Sequence, residues 1–441
     1  MEKVLSLIPQ GVEAEVWRLQ AVERSVSIKA RELKGVQKKT LGGYALRVRR
    51  NGRLGFATTS SPTGIEWMVQ AALATSELGQ PVEFAWPQAK VESPPLNTEL
   101  AELTSEQLIA YTRELEAAVQ KVNSNFVVSA GATVVEERIE VANTAGAHGT
   151  TQRARLALNC GGELVGGQDI LNIWGGATSG KLNEVDPAAI VERAFGPFQV
   201  APEVVPATSG IMPVLFTSKA MSSIFVRPLL AGLNGRNVLR GTSPLAGKAG
   251  QQLFAQRLNL IDDATLPNGP SSASIDDEGT PTRPYPLISD GAVVGFIYDL
   301  QTAAKAGTQS TGHARKIGRT SGARLNSLPA PGYSNVMVEP GDSSFAQLLQ
   351  AVGDGVLVDQ ISGTPGFNPS GEFSVTVQLG YLVRGGQLVG RIKNAMVSGN
   401  VFTNLSNIVA IGRDVMWSGG GEGGAIAVPA MVMDGLRLTA R

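Results

Sequence analysis

The stretch SVSIKARELKGVQKKTLGGYALRVRRNGRLGFATT, residues 25–59, carries the plainest fold signal of the chain. Apolar and polar residues alternate along both of its halves, and a period of two is typical of strands with one buried face. Asn51-Gly52 divides the second half, and this dipeptide is the preferred turn of a two-residue β-hairpin. The stretch therefore predicts strands that pair antiparallel.

Helical signals follow on the C-terminal side of these strands. Residues 61–78 have apolar side chains at helical spacing, from Ile65 to Ala72. Thr104 with Gln107 fits a capping box at the start of a second helix, which runs to about residue 122. The chain thus mixes strands and helices from its first third onward.

The rest of the chain continues this mixture in unequal blocks. Strand signals occupy residues 125–146 and 150–175, and a long hairpin over 372–394 is predicted to turn at Gly385-Gly386. Helices are predicted over 186–195, 218–233 and 342–355, the last with Asp342 as its N-cap. Because strands and helices do not alternate strictly, the predicted fold class is α+β, with mixed and largely antiparallel sheets.

Two proline-rich segments, residues 81–100 and 200–213, are predicted to be domain boundaries. They divide the chain into an N-terminal α+β domain (1–82), a central α+β domain (100–205) and a C-terminal domain (210–441). A length of 441 residues agrees with two or three domains.

Composition excludes several classes of function. Lys plus Arg equal Asp plus Glu at 38 each, so no overall charge attracts nucleic acid or an acidic membrane surface. Cys160 is the one cysteine, which excludes an intrachain disulfide. No apolar run approaches the ~20 residues of a membrane span. A cytoplasmic protein is the expectation.

Two glycine-rich motifs resemble nucleotide loops only formally. Residues 175–181, GGATSGK, match G-x-x-x-x-G-K, but Leu182 follows where Mg²⁺ coordination needs Ser or Thr. Residues 419–424, GGGEGG, match G-x-G-x-x-G, but an extended segment with a proline follows, not a helix. A glycine-rich hairpin and a tight loop are the better interpretations.

Histidine and acid patterns leave the chemistry open. His148 and His313 are the only histidines, and each is predicted to lie in a solvated loop. An acid cluster, which could bind a hard cation, consists of Asp276, Asp277, Glu278, Asp290 and Asp299. The simpler interpretation is a loop in which these carboxylates accept backbone N–H bonds or pair with Arg283.

A basic segment, RKIGRTSGAR, follows His313 closely. It contains Arg315, Lys316, Arg319 and Arg324. These side chains could hold a phosphate or a carboxylate, or they could belong to a surface loop. Aromatic residues are not interleaved with them, so nucleic-acid binding is not indicated.

Several of these segments together resemble the TldD/PmbA family, which was named for peptide maturation and for modulation of DNA gyrase. They are IDDEGTPTRPYPLISDGAVVGFIYDLQTAAKAG (275–307), STGHARKIG (310–318), NPSGEFSVTVQLGYLVRGGQLVG (368–390) and NVFTNLSNIVAIGRDV (400–415). GGYALRVRRNGRLGFATTS and VANTAG in the N-terminal half resemble it too. The resemblance implies a fold of the PmbA/TldD type.

The family has a TldD branch, with a zinc-binding H-E-x-x-x-H helix and a late cysteine, and a PmbA or TldE branch that lacks them. Alignment on GTSPLAGKAG (241–250) places Val226 and Ala231 at the histidine positions and Arg227 at the glutamate position. Gly419 falls near the cysteine position. None of these residues is a zinc ligand, and no histidine lies between Thr150 and Gly312.

The resemblance therefore implies a non-catalytic subunit without a cofactor of its own, paired with a TldD-like subunit that carries zinc. The pair would process unfolded or small ribosomally made peptides. The side chains expected to line a cleft are Asp276, Asp277, Glu278, Asp299, His313 and Arg315. Neither nucleic acid nor membrane is an expected partner. The alternatives are a homodimeric structural or peptide-binding protein, or a hydrolase with an atypical acidic metal site.

Overall fold

The computed structural model of the protein describes residues 1–166, 169–317, 323–363, 366, 368–420 and 423–440. The strands are β1 (Glu13–Lys29), β2 (Glu32–Arg50), β3 (Arg53–Thr59), β4 (Lys90–Val91), β5 (Val127–Asn143), β6 (His148–Gly166), β7 (Asp169–Ser179), β8 (Gly210–Phe216), β9 (Leu260–Asp263), β10 (Pro284–Ser289), β11 (Ala292–Val293), β12 (Ala314–Arg315), β13 (Ala330–Pro331), β14 (Asn335–Val338), β15 (Gly355–Ser362), β16 (Glu372–Arg384), β17 (Gln387–Arg391), β18 (Ala395–Asn400), β19 (Ile408–Ile411), β20 (Trp417–Gly419), β21 (Ala425–Ala427) and β22 (Met431–Ala440). The helices are α1 (Glu2–Leu5), α2 (Ile65–Ser76), α3 (Thr98–Ala101), α4 (Ser105–Val122), α5 (Pro187–Val200), α6 (Ser218–Met221), α7 (Arg227–Gly232), α8 (Gly235–Leu239), α9 (Leu300–Ala306), α10 (Phe345–Val352) and α11 (Val401–Asn404).

The first sheet follows from the hairpin signals of the N-terminal half. Its strand order is β3-β2-β1-β5-β6-β4, with β7 paired to β6. Asn51 and Gly52 connect β2 to β3 with φ values of 50° and 72°, the left-handed conformation that the predicted turn requires. The predicted hairpin is therefore confirmed.

Helices α2 and α4 cover parts of this sheet, as their apolar spacing predicts. Helix α2 lies so close to β3 that a Cβ on Gly55 would be 2.0 Å from the carbonyl oxygen of Ala72. Helix α4 begins with the predicted capping box: Thr104 Oγ1 accepts from Gln107 N, and Gln107 Oε1 accepts from Thr104 N. Local sequence signals thus fix both helices against the sheet.

Two larger sheets and the two-stranded sheet β12-β13 build the C-terminal half of the described chain. One has the order β11-β10-β9-β14-β21-β20. The other has the order β15-β8-β22-β18-β16-β17, and β15 also pairs with β16. These pairings close five of its strands into a ring around apolar side chains. Gly385 and Gly386, with φ of 52° and 73°, form the predicted turn between β16 and β17.

A π-helical turn, Ser222–Val226, joins α6 to α7 within the predicted helix at residues 218–233. Its Phe225 ring lies 5.0 Å from the ring of Phe216 and 5.3 Å from that of Phe373, measured between centroids. This segment belongs to the apolar core of the C-terminal half.

The α+β fold with largely antiparallel sheets is confirmed. The predicted cap of α10 is wrong, because Ser344 and not Asp342 is the N-cap: its Oγ accepts from Gln347 N, and Gln347 Oε1 accepts from Ser344 N. Ser344 lies three residues before Gln347, which is the spacing of a capping box. Asp342 lies two residues further from Gln347 and cannot form this reciprocal pair.

The predicted domain limits stay predictions. Strands from residues 1–82 and 100–205 lie in one sheet, since β1 pairs with β5 from Glu15↔Asn143 to Lys29↔Ser129. The first proline-rich segment also packs, with Val82, Phe84 and Trp86 buried. None of the helices in the described residues has the length and apolar character needed to cross a membrane.

Candidate functional site

Asp276 uses both carboxylate oxygens to hold the backbone of its own loop. Its Oδ1 accepts from Glu278 N and from Thr280 N, each at 2.9 Å, and its Oδ2 accepts from Ala314 N at 3.1 Å. The side chain is fully buried, and burial raises the pKa of this carboxyl although the three N–H bonds oppose the rise. Asp276 thus shapes the loop and connects it to β12.

Asp277 joins the loop to the first sheet. Its Oδ1 accepts from Trp17 Nε1 at 2.9 Å, and its Oδ2 accepts from Lys316 N at 2.6 Å. The Arg324 guanidinium is 3.5 Å from the same Oδ2. Burial alone would raise the pKa of Asp277, but Arg324 and Arg315 outweigh it and hold that pKa below its usual range. This carboxylate therefore stays charged in the interior.

Glu278 shares an arginine with the first strand. Its Oε1 accepts from Arg47 Nη1 at 2.7 Å, and its Oε2 accepts from Leu300 N at 2.7 Å. Arg47 also binds both oxygens of Glu15, at 3.0 and 2.8 Å. Burial raises the pKa of Glu278, and neighbouring acids add to that rise against the effect of Arg47. One guanidinium thus serves two buried carboxylates.

Asp299 is the N-cap of α9. Its Oδ1 accepts from Thr302 N at 2.7 Å and from Thr302 Oγ1 at 2.6 Å. Its Oδ2 is 3.6 Å from Arg236. A carboxylate in this position satisfies the free N–H groups of the first helical turn. Asp290, the remaining acid of the cluster, is exposed in the turn between β10 and β11 with φ 48°.

His313 lies in the interior, so its prediction as a solvated residue is wrong. Its Nδ1 is 2.8 Å from the carbonyl oxygen of Thr311, and its Nε2 is 3.3 Å from Asp262 Oδ2. Asp262 in turn accepts from Ser334 N. His148 is exposed, as predicted, but it is the first residue of β6 and does not lie in a loop.

The basic segment is also internal where the structure describes it. Arg315 donates to Ser334 Oγ, and Lys316 donates to the carbonyl oxygen of Ser327. Arg315, Lys316 and Arg324 are all buried, so the surface-loop interpretation is wrong for them. Arg319 lies outside the described residues.

Arg283, proposed above as the partner of the acids, instead lies over the ring of Tyr285 at 5.9 Å. The arginines that bind the acid loop, residues 276–278, come from distant segments, Arg47 on β2 and Arg324 beyond β12. The interpretation that backbone N–H groups and arginines satisfy these carboxylates therefore holds with different arginines.

The six side chains predicted to line a cleft are at most 6% exposed in the chain. They are not among the residues that line its cavities of about 610 and 360 Å³. In the described part of the chain, no group of three or more His, Cys, Asp or Glu side chains is arranged to hold a metal ion. Their place on a substrate cleft stays a prediction, whereas their contacts are those of a structural network.

The helix predicted to occupy the position of the zinc helix is present but offers no ligand. Val226 ends the π turn and is 2% exposed in the core. Arg227 is exposed at the start of α7, and Ala231 lies in its last turn. Gly419 is the last residue of β20, and residues 421–422 lie outside the described part of the chain. Imidazole, thiolate and carboxylate are all missing from these positions, so a zinc ion does not fit them.

Several charged residues of the buried network were missed from the sequence. Glu137 on β5 lies opposite Arg153 on β6, and it also receives Arg324 Nη1 at 3.0 Å. Burial raises the pKa of Glu137, but Arg153, Arg324 and Arg155 outweigh it and lower that pKa. Charged residues inside two predicted strands, β5 and β6, were the available signal.

The comparisons with known proteins agree with this architecture. The family model described as the PmbA/TldA metallopeptidase C-terminal domain matches residues 209–440. The model described as PmbA/TldA metallopeptidase domain 1 matches residues 15–76. The first match alone spans more than half of the chain. The chain therefore belongs to the PmbA/TldD family of metallopeptidase-like proteins.

Individual relatives extend the match over nearly the whole chain. An uncharacterized protein of Methanocaldococcus jannaschii is 26% identical, with 99% of each chain covered. A protein of Methanothermobacter thermautotrophicus named as a metalloprotease is 25% identical, over 88% of this chain and 86% of its own. The crystal structure of TldE from Thermococcus kodakarensis superposes with a TM-score of 0.89 at 24% identity, covering 100% of this chain and 98% of that one.

Proposed function

We propose that this chain is the non-catalytic, TldE-like subunit of a heterodimeric zinc metalloprotease. Its TldD-like partner would hold the zinc and cleave unfolded or small ribosomally made peptides. The observation that carries the proposal is the segment around α7, where Val226, Arg227 and Ala231 stand in place of two imidazoles and a carboxylate. Without them, this chain can neither bind the metal nor activate its water.

The acid loop supports the same conclusion. Its carboxylates accept hydrogen bonds from Trp17, Arg47 and backbone N–H groups, and all are buried. A catalytic carboxylate must be open to substrate or water, and these three side chains are at most 1% exposed in the chain. The rival hydrolase with an acidic metal site therefore loses the residues on which it depends.

A strand-lined cavity on the first sheet supports a role in holding peptide. It has a volume of about 610 Å³, and β1, β2, β5 and β6 supply most of its lining. Strands can bind an extended peptide through main-chain hydrogen bonds, which gives breadth without side-chain specificity. We propose that the chain completes the substrate cavity and stabilises the catalytic subunit.

Zinc content and association test this proposal. The chain would be purified alone and together with the TldD-like chain of the same genome, and each sample would be analysed by light scattering and elemental analysis. We expect a zinc-free chain alone and a heterodimer in the mixture, with zinc bound through the TldD-like chain. One zinc per chain in the isolated protein, or a homodimer that ignores the TldD-like chain, would overturn it.

The homodimer is the second candidate, as a structural or peptide-binding protein. The experiment above separates it from the first by mass. A direct role with gyrase or DNA has no support from the equal numbers of acidic and basic residues.

A further inference from the structure

A cavity of about 360 Å³ lies beside the π turn and α7, on the side of the chain where the zinc helix of the TldD branch is expected. This volume is at the lower end of the ~300–1,000 Å³ of small-ligand sites. Three separate segments of the chain line it: Trp174 on β7, the helical segment 219–227, and residues 359–363 at the end of β15. The lining residues that matter here are Trp174, Lys219, Ser223, Arg227, Asp359 and Gln360.

One cation that lines this cavity, Arg227, has no acidic partner among the described residues. Lys219 Nζ is 2.7 Å from Asp359 Oδ2 and donates to the carbonyl oxygen of Trp174 at 2.8 Å. Asp359 also accepts from Thr217 Oγ1 at 2.8 Å. Arg227 is exposed and forms no ion pair or side-chain hydrogen bond with any residue that the structure describes. Among the described lining residues the cations Lys219 and Arg227 outnumber the single acid Asp359, and the Arg227 guanidinium at the wall has no partner.

Gln360 adds a buried acceptor without a donor. The residue is 2% exposed, and its Nε2 donates to Asp359 Oδ2 at 3.1 Å and to the Trp174 carbonyl oxygen at 3.4 Å. Both partners are acceptors, so the amide nitrogen must face them and the orientation of the side chain is fixed. Its Oε1 is buried and has no hydrogen-bond partner in the part of the chain that the structure describes. A small movement of this side chain toward the cavity would bring the acceptor within reach of a ligand N–H group, and an unsatisfied buried acceptor gains from such a bond.

We propose that this cavity binds the C-terminal end of a peptide. The terminal carboxylate pairs with Arg227, the adjacent amide N–H donates to Gln360 Oε1, and the last side chain lies against the half-exposed ring of Trp174. A phosphate group would satisfy Arg227 but has no N–H for Gln360. The assignment of this carboxylate to a peptide rests on the proposed function. The recognition of a carboxylate with a neighbouring amide is independent of it.

Fluorescence anisotropy of an N-terminally labelled unfolded hexapeptide tests this site on the isolated full-length chain. The peptide would be prepared with a free C-terminal carboxylate and, separately, with a C-terminal amide. We expect the acid form to bind roughly tenfold or more tightly than the amide, because a charge-assisted hydrogen bond is lost in the amide. Arg227→Met should remove this difference, and Arg227→Lys should restore part of it.

Arg240→Met is the matched control, since Arg240 is an exposed arginine that does not line the cavity. Equal binding of acid and amide peptides, or equal effects of the two arginine-to-methionine variants, would overturn the proposal. Competition by propionate, which has a carboxylate but no amide N–H, as strong as by the peptide would assign the site to small free carboxylates and overturn the peptide assignment. The measurement needs no cleavage, so its result is independent of whether a TldD-like partner is active.

Discussion

Arg47 pairs with two buried carboxylates, Glu15 on β1 and Glu278 in the acid loop. It binds Glu15 and Glu278 in the interior, and the two carboxylates raise its pKa although burial alone would lower it. Arg47→Met leaves both carboxylates without their cation, and loss of one partner from a buried ion pair costs about 3–5 kcal/mol. We expect urea denaturation to show a destabilisation of this order.

Arg50→Met provides the control for that variant. Arg50 lies 3.8 Å from Glu77, and both side chains are largely exposed at 47% and 71%. Exposed pairs contribute about 0–1 kcal/mol, so this variant should unfold close to the wild-type protein. Similar unfolding of the two variants would show that the Arg47 contacts do not stabilise the fold.

Lys316 makes stability depend on pH at the same site. Its ammonium lies 5.1 Å from the Trp17 ring centroid and 5.0 Å from that of Phe56. Burial lowers the pKa of Lys316 from 10.5 to about 7, although Asp277 opposes the change. The unfolded chain therefore binds more protons than the folded chain between about pH 7 and 10.5, and the contribution of Lys316 to stability rises with pH across this window.

Lys316→Met removes this contribution. The difference in melting temperature between variant and wild type should favour the variant most at pH 6 and shift toward the wild type as pH rises from 7 to 10. Asp276 and Glu278 have raised pKa values in the folded chain, so their contribution to stability is lost as pH rises above their unfolded pKa values. This contribution is the same in variant and wild type, so it cancels in the difference between their melting temperatures. A difference that stays constant with pH would contradict a lowered lysine pKa.

At the scale of elements, Ser344 and Asp342 are the two candidates for the N-cap of α10. Ser344→Ala removes an N-cap worth about 1 kcal/mol, whereas Asp342→Ala removes no cap. Hydrogen exchange measured by mass spectrometry should show the first turn of α10 exchanging about fivefold faster in Ser344→Ala. Equal protection of α10 in the two variants would contradict the assigned cap.

Elements with a signal in neighbouring residues could be predicted. Asn51-Gly52, Gly385-Gly386 and the capping box at Thr104 all lie where the sequence indicates. The turn between β1 and β2 could not be predicted, because Ala30 and Arg31 adopt positive φ of 52° and 69°. Neither residue favours the left-handed conformation, and the long pairing of the two strands imposes it.

The candidate site was less predictable than the fold for a related reason. Trp17 and Asp277 are 260 residues apart, and Arg47 and Glu278 are 231 residues apart. No local pattern reports such pairings, so the acids were identified while their partners were not. The cavity beside α7 was missed because no two of its segments are adjacent in the sequence, and only the zinc-helix alignment indicated Arg227.

At the scale of the whole molecule, the shared first sheet determines what can fold alone. Residues 1–82 expressed separately would leave the β1 edge that pairs with β5 without a partner. We expect this fragment to give an NMR spectrum without the amide dispersion of a folded protein, in contrast to the full chain. A dispersed spectrum would show that residues 1–82 are an independent domain.

The central claim is that this chain is the non-catalytic subunit of a heterodimeric protease. A cleavage assay tests this claim most directly. An unfolded peptide would be incubated with zinc and with this chain alone, the TldD-like chain of the same genome alone, or both together. The account predicts efficient, chelator-sensitive cleavage only in the mixture. Zinc-dependent cleavage by this chain alone would contradict it and return attention to the acids at Asp276, Asp277 and Glu278.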